Sequence, residues 1–243
     1  MGPKNFEYRL DGAVDRGFLS RYEALMLERC GADVLPNPRR AAHGIFHNYR
    51  PWEYDKVFKY AGFEPGDVVL DTGAMHTYFC VFLAQFVAKV FTTDNFYWAE
   101  RDYMTEEKLF SPAEWAAYVE GKGGGKIVAE KADLTQLPYP EATFDKVLCI
   151  STVEHVPDDF KAAAELARVL KPGGRLLLTT EFNFRRPKEY SEEDGSYYRV
   201  YHPASVEALL AAAALRLRGP VRVEKRNFWV LRKHVNAFAC LEK

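Results

Sequence analysis

Three short apolar runs in this chain close on an aspartate. Val68-Val69-Leu70 ends in Asp71, the run from Lys89 ends in Asp94, and Ile127 to Ala132 is followed by Asp133. In an open α/β sheet, ligands bind outside the carboxyl ends of the strands, where the strand order reverses. Acids set at three such ends can each take a different hydrogen-bond donor of one elongated ligand, although each alone also reads as a turn or helix-capping aspartate. A second grouping follows between Glu181 and Tyr201. There Phe182, Phe184, Tyr190, Tyr197, Tyr198 and Tyr201 are interleaved with Arg185, Arg186 and Lys188. That mix suits a sugar, a phosphorylated metabolite or an aromatic acceptor, and equally a packed lid. Cys30, Cys80, Cys149 and Cys240 are scattered without metal-ligand spacing, so no metal site is expected.

Positioning these residues takes strands that alternate with helices. Phe18, Tyr22, Leu25 and Met26 fall on one face of a helix, and Trp52 to Tyr60 reads as a second one. Phe79, Phe82, Leu83, Phe86 and Val87 follow the i, i+3, i+4, i+7, i+8 rule of a buried helical face. A helical stretch is expected around Pro112 to Glu120, within the excursion from Asn95 to Lys126. Phe144 to Ser151 and Arg175 to Thr180 are further strands. Between them a helix is expected with Phe160, Ala163, Ala164, Ala167 and Leu170 inward, stopped by Lys171-Pro172-Gly173-Gly174. His202-Pro203 opens a helix with Val206, Leu209, Leu210 and Ala213 inward, His202 reading as its N-cap. Val221 to Leu231 and Val235 to Leu241 form a closing antiparallel hairpin. The expected fold is α/β: a doubly wound, mostly parallel sheet of seven strands with that hairpin and an N-terminal helical extension. Residues 1–62 are expected to form the extension and a substrate cap, and residues 63–243 the main domain. Hydrophobic residues make up 48% and charged residues 28% of the 243, an ordinary globular balance. The net charge of −1 provides no overall field for nucleic acid or an anionic membrane. With no secretory signal or apolar span visible, a soluble cytoplasmic protein is expected.

Two stretches then resemble a known family. Ala132-Asp133-Leu134-Thr135-Gln136-Leu137-Pro138-Tyr139-Pro140 with Thr143-Phe144-Asp145-Lys146-Val147, and Ser151-Thr152-Val153-Glu154-His155-Val156 with Arg168 to Arg175, resemble the middle of class I S-adenosylmethionine (SAM)-dependent methyltransferases. These are Rossmann-like proteins, and the likeness is to their type 11 branch. The resemblance covers roughly Trp52 to Leu210, and Arg50-Pro51-Trp52-Glu53-Tyr54 is similar to one bacterial branch. It implies SAM as cofactor, with Asp71 and Gly73 facing its methionine portion and Asp94, beside Asn95, accepting from both ribose hydroxyls. Asp133 would receive the adenine amino group with Leu134 beside the ring, and Ser151 would line the methionine end. It also places acceptor-facing groups after the fourth strand, which makes His155 the candidate general base, ahead of His76 and His202. Trp52, Tyr49, Phe182, Arg185 and Tyr198 are candidates for the acceptor pocket.

The chain departs from the family in its first loop. Asp71-Thr72-Gly73-Ala74-Met75-His76-Thr77 keeps only the first of the usual alternating glycines. Met75 adds bulk where the backbone should approach the cofactor, and Thr77 adds a hydroxyl that could compensate. The expected function is methyl transfer to an oxygen or nitrogen of a small molecule. The altered loop keeps open a methyltransferase-like binding or scaffolding subunit without catalysis. An RNA methyltransferase using Arg185, Arg186, Lys188 and the run Arg222 to Lys233 is a third reading, against which the net charge stands.

Overall fold

Val68-Val69-Leu70, Val147-Leu148-Cys149-Ile150 and Leu176-Leu177-Leu178 are continuous apolar blocks, and strands buried on both faces are built from such runs. The computed structural model describes residues 6–12, 14–31, 50–75, 77–97, 111–185, 188–191, 197–225 and 235–243. In chain order these contain β1 (Tyr8–Asp11), α1 (Arg16–Cys30), α2 (Pro51–Ala61), β2 (Val68–Thr72), α3 (Phe79–Leu83) and β3 (Lys89–Asp94). Then come α4 (Pro112–Lys122), β4 (Ile127–Lys131), β5 (Phe144–Ile150), α5 (Asp159–Val169) and β6 (Leu170–Phe182). The chain closes with β7 (Lys188–Ser191), β8 (Tyr197–Val200), α6 (Pro203–Ala212), β9 (Arg216–Leu217), β10 (Val221–Glu224) and β11 (Val235–Glu242).

The main sheet runs β4-β3-β2-β5-β6-β11-β10-β1. Strands β2 to β6 are parallel to one another, and β11 is antiparallel to both β6 and β10. The seven expected strands are therefore present with their antiparallel close. Two more join them: β9 pairs with β11, and β1 pairs in parallel with β10. Tyr8-Arg9-Leu10-Asp11 is too short and too polar to announce a strand, and its partner lies at the other end of the chain.

Successive side chains point to opposite faces of a strand, so each face builds its own core. Val69, Leu148 and Leu177 pack with Phe18, Tyr22, Trp52, Tyr54, Phe79 and Trp115 under α1 to α4. Leu70, Val147 and Leu178 pack with Leu166, Tyr201 and Leu209 under α5 and α6. The expected division at residue 62 falls at Gly62, the left-handed C-cap of α2, and the helices before it share their apolar cluster with Val69 and Val90.

Two expected helices differ. The patterned run Phe79 to Val87 is helical only to Leu83, after which Gln85 and Phe86 N–H bond to the carbonyls three residues back. The chain must turn there, because Ala88 and Lys89 both donate to the Asp67 carbonyl to start β3. In α5 the inward face is Ala162, Ala163, Leu166, Ala167 and Val169, while Phe160 is 51% exposed and Ala164 faces solvent. Asp159 takes the inward position to accept the Tyr201 hydroxyl at 2.7 Å, and the residue after it is rotated outward. Among the described residues no helix is long and apolar enough to cross a membrane.

Candidate cofactor and acceptor site

The strand order reverses between β2 and β5, and a small cavity opens at their carboxyl ends. Arg50 and Tyr54 line it from α2 and the residue before it, Asp71 to Ala74 from β2 and the turn after it, and Phe79 and Ile150 from either side. Asp71 shares the face of Val69 and so points under α2 and α3 rather than into solvent. It is 2% exposed, and its Oδ2 has no hydrogen-bond partner. Burial pushes its carboxyl up to about 7. A buried acid left this way is a standing demand for a donor, best met by a cation.

Gly73 turns the chain out of β2 with φ +66°, and a Cβ there would lie 2.2 Å from the Thr152 side chain. Thr152 cannot swing aside freely, since its hydroxyl donates to the carbonyls of Thr72 and Ile150 at 3.2 and 3.0 Å. Gly73→Ala is expected to lower unfolding stability by about 2–4 kcal/mol, checked by urea denaturation. A loss under about 0.5 kcal/mol would show that the turn tolerates a side chain.

The loop after Gly73 lies across the end of β3. Ala74 N–H donates to the Thr93 carbonyl at 3.1 Å, and Met75 N–H to Asp94 Oδ2 at 3.1 Å. Asp94 Oδ1 accepts from Phe96 N–H at 2.7 Å. Burial raises the Asp94 carboxyl while these two amides hold it down. The Met75 side chain is buried in the core, and the Thr77 hydroxyl donates to the Ala74 carbonyl at 2.7 Å, closing the loop on itself. Asn95 is exposed and accepts from Tyr97 N–H at 3.0 Å. Ala132 N–H donates to the Asp94 carbonyl, which brings the turn after β4 alongside. In that turn Asp133 is exposed and accepts from Thr135 N–H and hydroxyl at 2.8 and 2.9 Å, and Leu134 is buried. The three aspartates thus occupy the ends of three adjacent strands, in order.

On the β5 side, Ser151 has φ +44°, and its hydroxyl donates to Glu53 Oε1 at 2.6 Å. Thr179 donates to the same oxygen at 2.6 Å, while Arg50 and Asn236 reach Oε2 at 3.4 Å each. Glu53, 2% exposed, ties α2 to β5, β6 and β11. Glu154, 1% exposed, accepts from the Thr180 hydroxyl at 3.1 Å, and burial pushes its carboxyl up to about 8 against the pull of Arg50. His155 lies in the 3-10 turn Val153–His155 with Nδ1 3.3 Å from the Tyr197 carbonyl. Only a protonated Nδ1 can bond a carbonyl, which leaves Nε2 as the basic nitrogen. Burial lowers the pKa of this histidine. Its ring is 5.5 Å from that of Tyr198, whose hydroxyl donates to Glu181.

Residues 70–178 match the family described as a methyltransferase domain. Over 83 residues the chain is 47% identical to 27-O-demethylrifamycin SV methyltransferase of Amycolatopsis mediterranei, covering 34% of this chain and 25% of that protein. It is 28% identical over 199 residues to a ubiquinone/menaquinone biosynthesis C-methyltransferase of Bdellovibrio bacteriovorus, covering 82% of this chain and 73% of that one. In fold it is similar to 1,6-didemethyltoxoflavin-N1-methyltransferase of Burkholderia thailandensis, with a TM-score of 0.62, 17% identity and coverage of 96% of this chain and 92% of that chain. That structure holds S-adenosylhomocysteine and 1,6-didemethyltoxoflavin. Residues 70–178 thus match a methyltransferase domain, and the chain has the fold of methyltransferases of known structure. Its residues suit the cofactor: the unpartnered Asp71 oxygen answers the cationic methionine end, and the turn at Gly73 leaves no side chain in the way.

The methyltransferase domain brings together only part of what the sequence singled out. Asp71, Gly73, Met75, Thr77 and Asp94 gather around one loop, but the Ser151 hydroxyl is committed to Glu53. Trp52 is buried and its indole N–H donates to the Asp11 carbonyl at 2.8 Å, bracing β1 against α2. Phe182 is buried against Tyr8, with ring centroids 5.7 Å apart. Arg185 is exposed, its backbone N–H bonded to Asn183 Oδ1. His202 caps α6, its Nδ1 2.8 Å from the Ser205 hydroxyl. Tyr49 and His76 lie outside the described residues. Arg50, Glu53 and Tyr54 were not among the expected site residues. The i, i+3 spacing of Arg50 and Glu53 is the only local sign of their pairing.

Proposed function

We propose that this chain transfers a methyl group from SAM to a small organic acceptor. The observation that carries the reading is the buried, unpartnered Asp71 oxygen in a cavity at the point where the strand order reverses. When bound, SAM supplies an electrophilic methyl already activated on a sulfonium. The chain's task is then to hold and align, which contributes about 7–11 kcal/mol in well-oriented systems. Asp71 takes the ammonium of the methionine end, with Gly73 and the backbone to Met75 and Thr77 beside it. Asp94 takes the ribose hydroxyls once the Met75 and Phe96 amides give way, with Asn95 at its flank. Asp133 and Leu134 hold the adenine, and Ser151 sits at the methyl end. The segment before residue 62 caps the cavity through Arg50 and Tyr54. Tyr198 and Arg185 meet the acceptor from the Glu181–Tyr201 side, while Trp52 and Phe182 support these walls from the core. The relatives are named for transfer to oxygen and carbon and the structural neighbour for transfer to nitrogen, so the reading extends to all three atoms.

SAM at a hundredfold excess over Kd should stabilise the protein by about 2.7 kcal/mol, read as a rise in Tm, and Asp94→Ala should remove most of that rise. A parent protein whose Tm ignores millimolar SAM would favour the second reading, a binding subunit without catalysis. The Met75 amide on the Asp94 carboxylate is the observation that supports that alternative. If the acceptor atom carries a proton of high pKa, His155 Nε2 is the base that removes it. His155→Ala should then lower kcat by about 10²- to 10⁴-fold with SAM affinity unchanged. Near-parental turnover would leave His155 as a residue that shapes the turn.

A further inference from the structure

The hairpin β7–β8 stands apart from the main sheet. The end of β8 is tied to β6, where Tyr201 N–H donates to the Glu181 carbonyl at 2.9 Å and Asn183 N–H to the Tyr201 carbonyl at 2.8 Å. Tyr197 lies four residues up the chain from that anchor, about 13 Å away at the rise of an extended strand. Its carbonyl nevertheless meets His155 Nδ1, in the turn after β5, at 3.3 Å. That meeting joins two separate elements, so it depends on the side chains that hold them together. Tyr197, Arg199 and Tyr201 share one face of the strand. The Arg199 guanidinium lies 5.0 Å from the Tyr197 ring centroid and 5.5 Å from that of Tyr201. From there it reaches the segment that follows His155. It pairs with Asp159, donates to the Pro157 carbonyl at 3.4 Å, and donates to the hydroxyls of Tyr197 and, at 3.2 Å, Tyr201. Asp159 accepts from the Tyr201 hydroxyl as well, at 2.7 Å.

We propose that Arg199 is the positioning residue of His155. By latching β8 onto the segment from Pro157 to Asp159, it holds the Tyr197 carbonyl on Nδ1 and so keeps Nε2 the unprotonated nitrogen. The proposal rests on the reading of His155 as general base, because a base must present a bare nitrogen to the acceptor. The hydrogen bond made by one ring nitrogen decides which of the two carries the proton, and here the partner of Nδ1 can only accept. The arginine suits the task. Its planar fork bonds several acceptors in one fixed arrangement, which an ammonium on a flexible stem does not. The side chains of Arg199 and Asp159 are 15% and 11% exposed, so the pair is largely sheltered from solvent and salt. On the other face of β8, Tyr198 sets its ring 5.5 Å from that of His155 and donates to Glu181. The latch therefore also fixes the side of the acceptor pocket that Tyr198 supplies.

Nitrogen NMR of the full chain carrying isotope-labelled histidine reads the His155 tautomer directly, with His155→Gln assigning its signals. At about pH 8, above the ordinary histidine value of 6.5, the ring is observed neutral. The parent should show Nδ1 protonated and Nε2 bare. A neutral imidazole in water prefers its proton on Nε2, so Arg199→Met should shift the tautomer ratio that way by about 2- to 10-fold. Arg199→Lys keeps the charge opposite Asp159, and with it the fold, but loses the shared contacts and should shift the ratio less. Arg168→Met is the matched control. Arg168 joins Glu165 at 2.7 Å to the Tyr139 and Leu137 carbonyls at 2.8 and 3.1 Å, a staple of the same kind at the other end of α5. Its loss should lower Tm comparably and leave the His155 tautomer as in the parent. A parental tautomer in both Arg199 variants would overturn the proposal, and if Arg199→Met does not fold, Arg199→Lys alone decides. An equal shift in Arg168→Met would also overturn it, by making the change a response to general loosening. The measurement needs neither SAM nor an acceptor, so it can fail while methyl transfer stands. Near-parental turnover in His155→Ala would instead overturn the base reading on which the proposal rests.

Discussion

Asp71→Asn is expected to raise the melting temperature while removing most of the affinity for SAM. The ordinary pKa of an aspartate is 3.8 and burial raises that of Asp71 to about 7, so between these values the folded chain holds a proton that the unfolded chain has released. Stability contributed at this site is therefore full at low pH, declines as pH rises from about 4 to about 7, and stays lost above that. Asparagine carries no charge to bury, so at about pH 8 the variant should be more stable by on the order of 2 kcal/mol, or roughly 4–8 °C in Tm for a chain of this size. At about pH 4 the two proteins should unfold almost together. Binding moves the opposite way. Loss of a charge-assisted partner for the ammonium should raise the Kd for SAM by about 10- to 100-fold. In the parent protein the proton must leave Asp71 before a cation can pair with it, so affinity should fall about tenfold for each pH unit below about 7. Thermal unfolding and SAM titration across that range check both halves. A variant that is less stable at about pH 8 yet binds SAM like the parent would remove Asp71 from the site.

Glu53→Ala should be the most damaging single change in the site. It leaves the Ser151 and Thr179 hydroxyls, both buried, without the oxygen they share at 2.6 Å, and Arg50 and Asn236 without theirs. Removing one member of a buried charged network costs about 3–5 kcal/mol, a fall of roughly 10 °C in Tm for a chain of this length. Ser151 sits at φ +44°, a conformation non-glycine residues seldom adopt, and the bond to Glu53 helps to hold it there. Glu53→Gln keeps an acceptor oxygen and should lose about half as much. Guanidinium unfolding midpoints measure both, and a loss below about 1 kcal/mol for Glu53→Ala would mean that the network does not bear on stability.

What could be read in advance was what repeats locally. Apolar runs closed by Asp71, Asp94 and Asp133, the Pro-Gly-Gly stop after α5 and the motif around His155 all announce themselves within a few residues. Strand order at a reversal point then follows from general rules for α/β sheets. Some local patterns still misled. Phe160 reads as core until Asp159 turns inward to meet Tyr201, 42 residues away in sequence. The run from Phe79 keeps helical spacing beyond Leu83, but the return to Asp67 cuts the helix short.

The hydrogen bonding around Ser151 was decided by tertiary structure alone. Glu53 meets Ser151, Thr179 and Asn236 across separations of 98, 126 and 183 residues, and no local spacing encodes such a meeting. Burial is likewise a property of the assembled fold: Asp71 and Asp133 are the same residue type at the same edge of one sheet, with β3 between their strands. Yet Asp71 is sealed under α2 and α3 with an oxygen unpartnered, and Asp133 lies in water bonded to Thr135. The sequence by itself determined which groups stand at the sheet's edge, because strand and turn signals are short-range. Their charge states, and which of them face the cavity, depended on desolvation and on partners that only the folded chain brings near.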